Sequence, residues 1–324
     1  MFGAIIVAGI PLVENISSDR APATLLNFND GKTPFACMNL LGRPVVARLT
    51  DDWKRNGASA VSVFAPRRLS STHSLWRHAA ERLSDYEKQG LRAILIAQVG
   101  AYAEIDVEDM CSLHEESGES ITRAFDNDGP LPMWFVDPKR VSERESLLEA
   151  LCAARHADYQ VRGYVNRLAT PQDVRRLVLE SLGRRCHFRP QGSEAKPGIW
   201  MDGGVQVERS ARLVAPAFIG RGVRIADECL ITRGTNIESD SVVDFGTAVE
   251  DSSILSGSYV GIGLDLSHSI VDGERLINLR HNVMLRISDP FVMRRNNVHG
   301  ANGQLPSDFE TGEMILSSTE ELAK

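Results

Sequence analysis

Two histidines, His268 and His281, stand near the most periodic stretch of this sequence. Imidazole takes up and releases a proton near neutral pH, so a histidine in a cleft suits general-base work. Between stacked repeats, His268 would serve acyl transfer from an acyl-CoA. The nearby acids in sequence are Asp265 and Asp272. The competing reading is a structural or exposed histidine. A second candidate group lies in the N-terminal half. Ala8 and Gly9 end the first apolar run, Lys32 sits in Gly31-Lys32-Thr33-Pro34-Phe35, and Glu104 and Asp106 follow Gln98-Val99-Gly100. One lysine and two carboxylates could form a nucleotide- or sugar-binding site. Surface charge is the alternative, and Asp106, Glu108 and Asp109 would also suit the positive end of a helix.

Other chemistries are poorly supported. A phosphate cradle needs successive N–H groups, several glycines and usually a basic side chain. The loop Ala8-Gly9-Ile10-Pro11-Leu12-Val13-Glu14 offers one glycine, a proline and an acid. No G-x-S-x-G elbow is present, and no His, Cys, Asp and Glu residues have metal-ligand spacing. The five cysteines are scattered, never as C-x-x-C, which fits reduced thiols. A net charge of -7 with only short basic pairs, such as Arg67-Arg68, argues against nucleic acid. No stretch approaches the roughly 18 apolar residues of a membrane helix. The apolar opening, Met1 to Gly9, is too short for a signal peptide, so a cytoplasmic protein is expected.

What would position these residues is clearest in the C-terminal third. From Val207 every sixth residue is aliphatic: Leu213, Ile219, Ile225, Ile231, Ile237, Val243, Val249 and Leu255. Four places after each come Ala211, Ala217, Val223, Cys229, Thr235, Ser241, Thr247, Ser253 and Tyr259, all but the last small. A period of six fits neither a helix nor an alternating strand. It fits short strands joined at corners, with one aliphatic side chain per strand pointing into a narrow prism: a hexapeptide-repeat parallel β-helix. The phase breaks at Gly261 and resumes at Leu264, Ile270 and Leu276, a slip of three. The polar tail from Asn296 reads as loosely packed, with a short helix possible over Ser317–Leu322.

At 324 residues, two domains are the natural expectation. Residues 1–165 alternate apolar runs with amphipathic stretches, the pattern of an α/β domain with a mostly parallel sheet. Strands are expected at Gly3–Ala8, Ala60–Phe64, Arg92–Gln98, Ser120–Phe125 and Met133–Val136. Helices are expected at Val45–Asn56, Leu75–Gln89, Val107–Ser117 and Ser142–Ala157. Residues 166–204 read as a connecting helix and linker. Thr170 caps the helix, Pro171 begins it, Asp173 faces its positive end, and Gly183 stops it. The repeat domain spans 205–287 and the tail 288–324.

Several segments resemble those of the sugar-phosphate nucleotidyltransferases, the nucleotide-sugar pyrophosphorylases. Gly3-Ala4-Ile5-Ile6-Val7-Ala8-Gly9 looks like that family's first strand, and Leu40-Leu41-Gly42-Arg43-Pro44-Val45-Val46 like its lead into the next helix. Gly57-Ala58-Ser59-Ala60-Val61 resembles its turn into the second strand. Gly163 to Asp173 resembles its Trp-x-Asp-x-Gly-Thr-Pro-x-Asp segment, and Val260 to Gly273 its late coils. The resemblance implies a Rossmann-like α/β domain followed by a left-handed β-helix. It also implies a Mg²⁺ ion held by two carboxylates, a Gly-Thr-Arg phosphate loop and a binding lysine. Here the Gly-Thr-Arg loop is missing, Lys32 is displaced, Val99-Gly100 stands at the first metal position and Arg167 at the second. Arginine inverts the charge that holds Mg²⁺. One lost electrostatic contact costs about 3 kcal/mol in such chemistry.

The expected function is therefore that of a divergent, nucleotidyltransferase-like protein of nucleotide-sugar metabolism with weak or no pyrophosphorylase activity. Mg²⁺ is the one cofactor expected, and only if nucleotidyltransferase activity is retained. One alternative is a non-catalytic protein that binds a nucleotide sugar or sugar phosphate, or that assembles with a catalytic relative in polysaccharide synthesis. Another is the acyltransferase built on His268. Flat outer faces of stacked coils self-associate, so a homo-oligomer, dimer or trimer, is expected through the repeat domain, with neither membrane nor nucleic acid as partner.

Overall fold

The computed structural model describes residues 2–8, 37–65, 72–99, 101–141, 146–153, 155–296 and 314–317. β1 (Phe2–Val7) is buried along its whole length, as an apolar run without a polar face must be. It pairs in parallel with β4 (Ala58–Phe64) and with β5 (Ile94–Gln98). β8 (Gly129–Val136) runs antiparallel to β5 and to β7 (Ile121–Asp126), and β9 (Ala157–Gln160) lies parallel to β7. At the opposite edge, β28 (Met314–Ser317) pairs antiparallel with β4. The sheet is thus mixed rather than mostly parallel. β7 and β8 meet through a tight turn at Asn127-Asp128, which needs no crossover helix.

Alternation along β1 sends side chains to both faces. Ala4 and Ile6 pack in the cluster that holds Val46, Leu49 and Trp53 of α1 (Val45–Arg55) and Met110 of α3 (Val107–Ser117). Ile5 and Val7 pack with Leu75, Ala79 and Leu83 of α2 (Thr72–Lys88). The helix expected over Ser142–Ala157 is shorter. Of that span α5 (Leu147–Ala153) is helical, α4 (Pro138–Val141) precedes it, residues 142–145 and 154 lie outside the described residues, and Ala157 already belongs to β9, where ladder bonds to β7 outweigh local helix propensity. Of the tail helix expected over Ser317–Leu322, Ser317 lies in β28 instead, and residues 318–322 lie outside the described residues.

Two short ladders complete this half. β2 (Asn39–Leu40) turns back on β3 (Arg43–Pro44), and β6 (Tyr102–Ala103) pairs with β10 (Val165–Asn166). α6 (Pro171–Leu182) follows, with the capping box in place. Asp173 N donates to Thr170 Oγ1 at 3.1 Å, and Thr170 N donates to Asp173 Oδ2 at 3.0 Å.

Beyond α6 the chain winds through three sheets in turn. The first contains β11 (Ser193–Lys196), β12 (Ile199–Met201), β15 (Ala217–Ile219), β18 (Thr235–Ile237), β21 (Ser253–Ile254), β24 (Ser269–Asp272), β25 (Arg275–Asn278) and β26 (Val283–Arg286). The second contains β13 (Gln206–Val207), β16 (Arg224–Ile225), β19 (Val242–Val243), β22 (Ser258–Val260) and β27 (Met293–Arg295). The third contains β14 (Arg212–Leu213), β17 (Leu230–Thr232), β20 (Ala248–Glu250) and β23 (Asp265–Ser267). Successive strands within each sheet are parallel from β12 to β24, so every coil contributes one strand per sheet.

Ile219, Ile225, Ile231, Ile237, Val243 and Val249, six residues apart, share one buried cluster, but the next member is Ile254, not Leu255. The coil shortens by one residue. Ala217 pairs with Thr235, eighteen residues on, whereas Asn236 pairs with Ser253, seventeen on. The expected slip of three at Gly261 is replaced by single deletions before Ile254 and Val271. Leu255 and Ile270 face outward into the cluster shared with the N-terminal half. Small corner residues also do more than fit. Thr247 Oγ1 donates to Gly261 O at 2.6 Å and accepts from Leu264 N at 3.1 Å, and Ser241 bonds likewise to Leu255 O and Ser258 N.

The two halves share a hydrophobic cluster. Val174, Leu177 and Val178 of α6 pack with Leu49 and Trp53 on one side and with Phe218, Leu255, Ile270 and Ile277 on the other. Among the described residues no helix is long and apolar enough to cross a membrane, and the five cysteines are free thiols.

Candidate functional site

The carboxyl ends of β1 and β5 meet where Val99 N donates to Val7 O at 2.9 Å, and Ala8 N donates across to Phe64 O at 2.8 Å. Ala8 is fully buried. Gly9, Lys32 and Gly100 lie outside the described residues. Glu104 and Asp106 occupy the segment between β6 and α3, each with its own local partners. Glu104 Oε1 accepts from His187 N and from Tyr102 Oη at 3.1 Å, while His187 Nδ1 lies 3.4 Å from Oε2. That carboxylate ties the loop to the linker after α6. Asp106 is the N-cap of α3, its Oδ1 accepting from Asp109 N at 3.0 Å.

The position that the resemblance gives to the second metal carboxylate holds Arg167, which follows β10. Its guanidinium is committed. Nε donates to Asp126 Oδ2 at 3.2 Å and Nη2 to Asp126 Oδ1, while Gly129 O (3.0 Å) and Pro130 O (3.3 Å) accept from Nη2 and Nη1. The arginine closes the tight turn between β7 and β8 against β10. These residues do not fit Mg²⁺, which needs oxygen ligands around an open position. Among the described residues, no three His, Cys, Asp or Glu side chains converge as metal ligands.

A second constellation joins the halves, and hydrophobic spacing gave no sign of it. Glu238, at the end of β18, is entirely buried. Its carboxylate accepts from Leu41 N at 2.7 Å, Gly42 N at 3.0 Å and Asn236 Nδ2 at 2.7 Å. Burial pushes its pKa up to about 7, against the opposing pull of those donors and of Arg48. Gly42 is required twice over. Its φ is +87°, and a Cβ there would lie 2.6 Å from Gln191 Cβ. Arg48 of α1 sits 4.2 Å from the Phe188 ring centroid and donates to Leu41 O at 2.9 Å. Burial, then Arg43 nearby, lower its pKa to about 10.

The third constellation centres on His268. Neither acid near it in sequence is its partner. Asp272 is buried against Arg275 and Arg295, and Asp265 is exposed. His268 Nδ1 instead lies 2.6 Å from Asp251 Oδ2, one coil below. The shortened coil is why this pairing escapes a period of eighteen, which would put Ser269 over Asp251. Arg175 of α6, 4% exposed, grips the other oxygen of Asp251 through Nε (3.1 Å) and Nη2 (2.9 Å), and donates to Gly234 O at 2.6 Å and Asn236 Oδ1 at 3.2 Å. Desolvation lowers the Arg175 pKa, and Asp251 opposes that fall. The result is a chain of contacts, Arg175–Asp251–His268, ending in an imidazole that is 39% exposed. A carboxylate at Nδ1 fixes the tautomer and leaves Nε2 as the basic nitrogen. His281 is exposed in the turn after β25, its N donating to Asn278 Oδ1 at 3.0 Å.

Compared with known proteins, the chain matches no family model and no curated sequence.

Proposed function

We propose that this chain is a divergent relative of the sugar-phosphate nucleotidyltransferases: a Rossmann-like domain followed by a left-handed hexapeptide-repeat β-helix. In this reading it binds a nucleotide sugar or sugar phosphate in the cytoplasm and turns it over weakly or not at all. The parallel triple β4-β1-β5, the Gly42 turn into α1, the capped helix α6 and the six-residue core period support the family. The observation that carries the loss of turnover is Arg167. At the position that the resemblance gives to a metal carboxylate, this chain has a guanidinium bonded to Asp126 and two carbonyls. Metal-assisted phosphoryl transfer depends on placing charge correctly, and this charge has the wrong sign.

A thermal-shift screen of the full chain tests the proposal, using nucleoside triphosphates, nucleotide sugars and acyl-CoA, each with and without Mg²⁺. Stabilisation by a nucleotide sugar, with or without the ion, is expected. Stabilisation by no nucleotide sugar or sugar phosphate, or efficient Mg²⁺-dependent release of pyrophosphate in a parallel assay, would overturn it.

The Asp251–His268 pair favours a second reading, acyl transfer from an acyl-CoA with His268 as general base. It expects stabilisation by acyl-CoA and acyl-transfer activity that His268→Ala abolishes. A chain that ignores acyl-CoA excludes it.

A further inference from the structure

The first sheet of the C-terminal half has two unlike edges. β11 ends it on one side with Ser193, Glu194, Ala195 and Lys196, all exposed, and Glu194 is paired to Arg184 at 2.7 Å. Charges of that kind keep a sheet edge from pairing with another chain. β26 ends it on the other side and is also exposed at every residue, but three of its four side chains are apolar. Val283, Met284 and Leu285 are 44%, 44% and 47% exposed.

The hydrogen-bond phase of β26 follows from one contact. Ile287 N donates to Glu274 O at 2.7 Å, so the 274/287 pair is a hydrogen-bonded one. Antiparallel pairs alternate. Leu285 and Val283, opposite Leu276 and Asn278, therefore turn their backbone groups toward β25. Met284 and Arg286 turn theirs away, toward an edge that no described strand pairs.

We infer that β26 pairs antiparallel with β26 of a second copy about a twofold axis. An antiparallel strand is its own complement under such an axis, and the contact closes at two chains. Pairing with the charged β11 of another copy would instead propagate without end. With the axis at Leu285, Met284 of each copy exchanges backbone bonds with Arg286 of the other. The two Leu285 side chains then meet at a non-hydrogen-bonded pair, and the two arginines stay apart. Four residues bury far less than the roughly 1,600 Å² of a standard interface, so the dimer is weak and concentration-dependent. The inference does not rest on the nucleotide-sugar reading.

Sedimentation of the full chain over a wide concentration range, with two variants, tests it. Wild type is expected to pass from monomer to dimer. Met284→Pro removes an outward N–H and no bond to β25, so it is expected to remain monomeric with an unchanged melting temperature. Leu285→Cys places two thiols roughly 4.5 Å apart by Cα, and mild oxidation is expected to cross-link it, whereas Arg209→Cys, on an exposed turn, stays uncross-linked. A monomer at every concentration, a trimer, or a dimer indifferent to Met284→Pro whose Leu285→Cys form cross-links no better than the control would overturn the inference.

Discussion

At the scale of single residues, two buried charges join the halves of this molecule, and each makes a measurable claim. Glu238 has a pKa near 7 in place, against 4.5 ordinarily. The folded chain thus holds this proton more tightly than the unfolded chain does. Its favourable contribution is complete below about pH 4.5 and is lost as pH rises through 7, a change of roughly 3 kcal/mol. Glu238→Gln has no such proton. The stability of wild type relative to this variant should fall by about that amount across the window in denaturant titrations, and parallel pH profiles would contradict the assignment. Arg175→Met tests the other charge. It strands a partly buried carboxylate and the Gly234 carbonyl, so a loss of about 3 kcal/mol is expected in the same titrations. A loss below about 1 kcal/mol would mean that water replaces the guanidinium.

At the scale of elements, the side chains buried between the three C-terminal sheets set the stability of that half. Ile231 is fully buried in it, and Ile231→Ala should cost about 2–5 kcal/mol. Thr247→Val keeps the shape and removes both corner bonds, leaving Leu264 N without its acceptor, so about 1–3 kcal/mol is expected. Urea titration of the two variants measures both. Much of this level was legible in the sequence. Six-residue spacing identifies the core from Ile219 to Val249, the spans of α1 and α3 follow from amphipathic pattern, and the acids from Asp106 mark the start of α3. What was illegible depends on register. A one-residue deletion looks the same in composition whether it falls before Ile254 or after Val260, yet it decides that Leu255 faces outward and that His268 stands over Asp251. β9 and β28 were hidden for a related reason. Short strands at sheet edges owe their conformation to a distant partner and carry little local signal.

At the scale of the whole molecule, one hydrophobic cluster runs from β1 through α1 and α6 to Phe218, Leu255 and Ile277, with Glu238 and Arg175 set along the same junction. Opening that junction would expose apolar surface and strand both charges together, so the described halves should melt as one unit. Calorimetry is expected to show a single transition whose calorimetric and van't Hoff enthalpies agree, and two resolved transitions would contradict the shared core. Arg167, bonded to Asp126, is the residue that the proposed relationship sets at a metal-carboxylate position. The most direct measurement is calorimetric titration of the full chain with the nucleotide sugar that best raises its melting temperature, once in Mg²⁺ and once in chelator. Equal affinity in both, with at most trace pyrophosphate formed from triphosphate and sugar 1-phosphate, is the predicted result. Binding that appears only with the ion, accompanied by turnover, would contradict it.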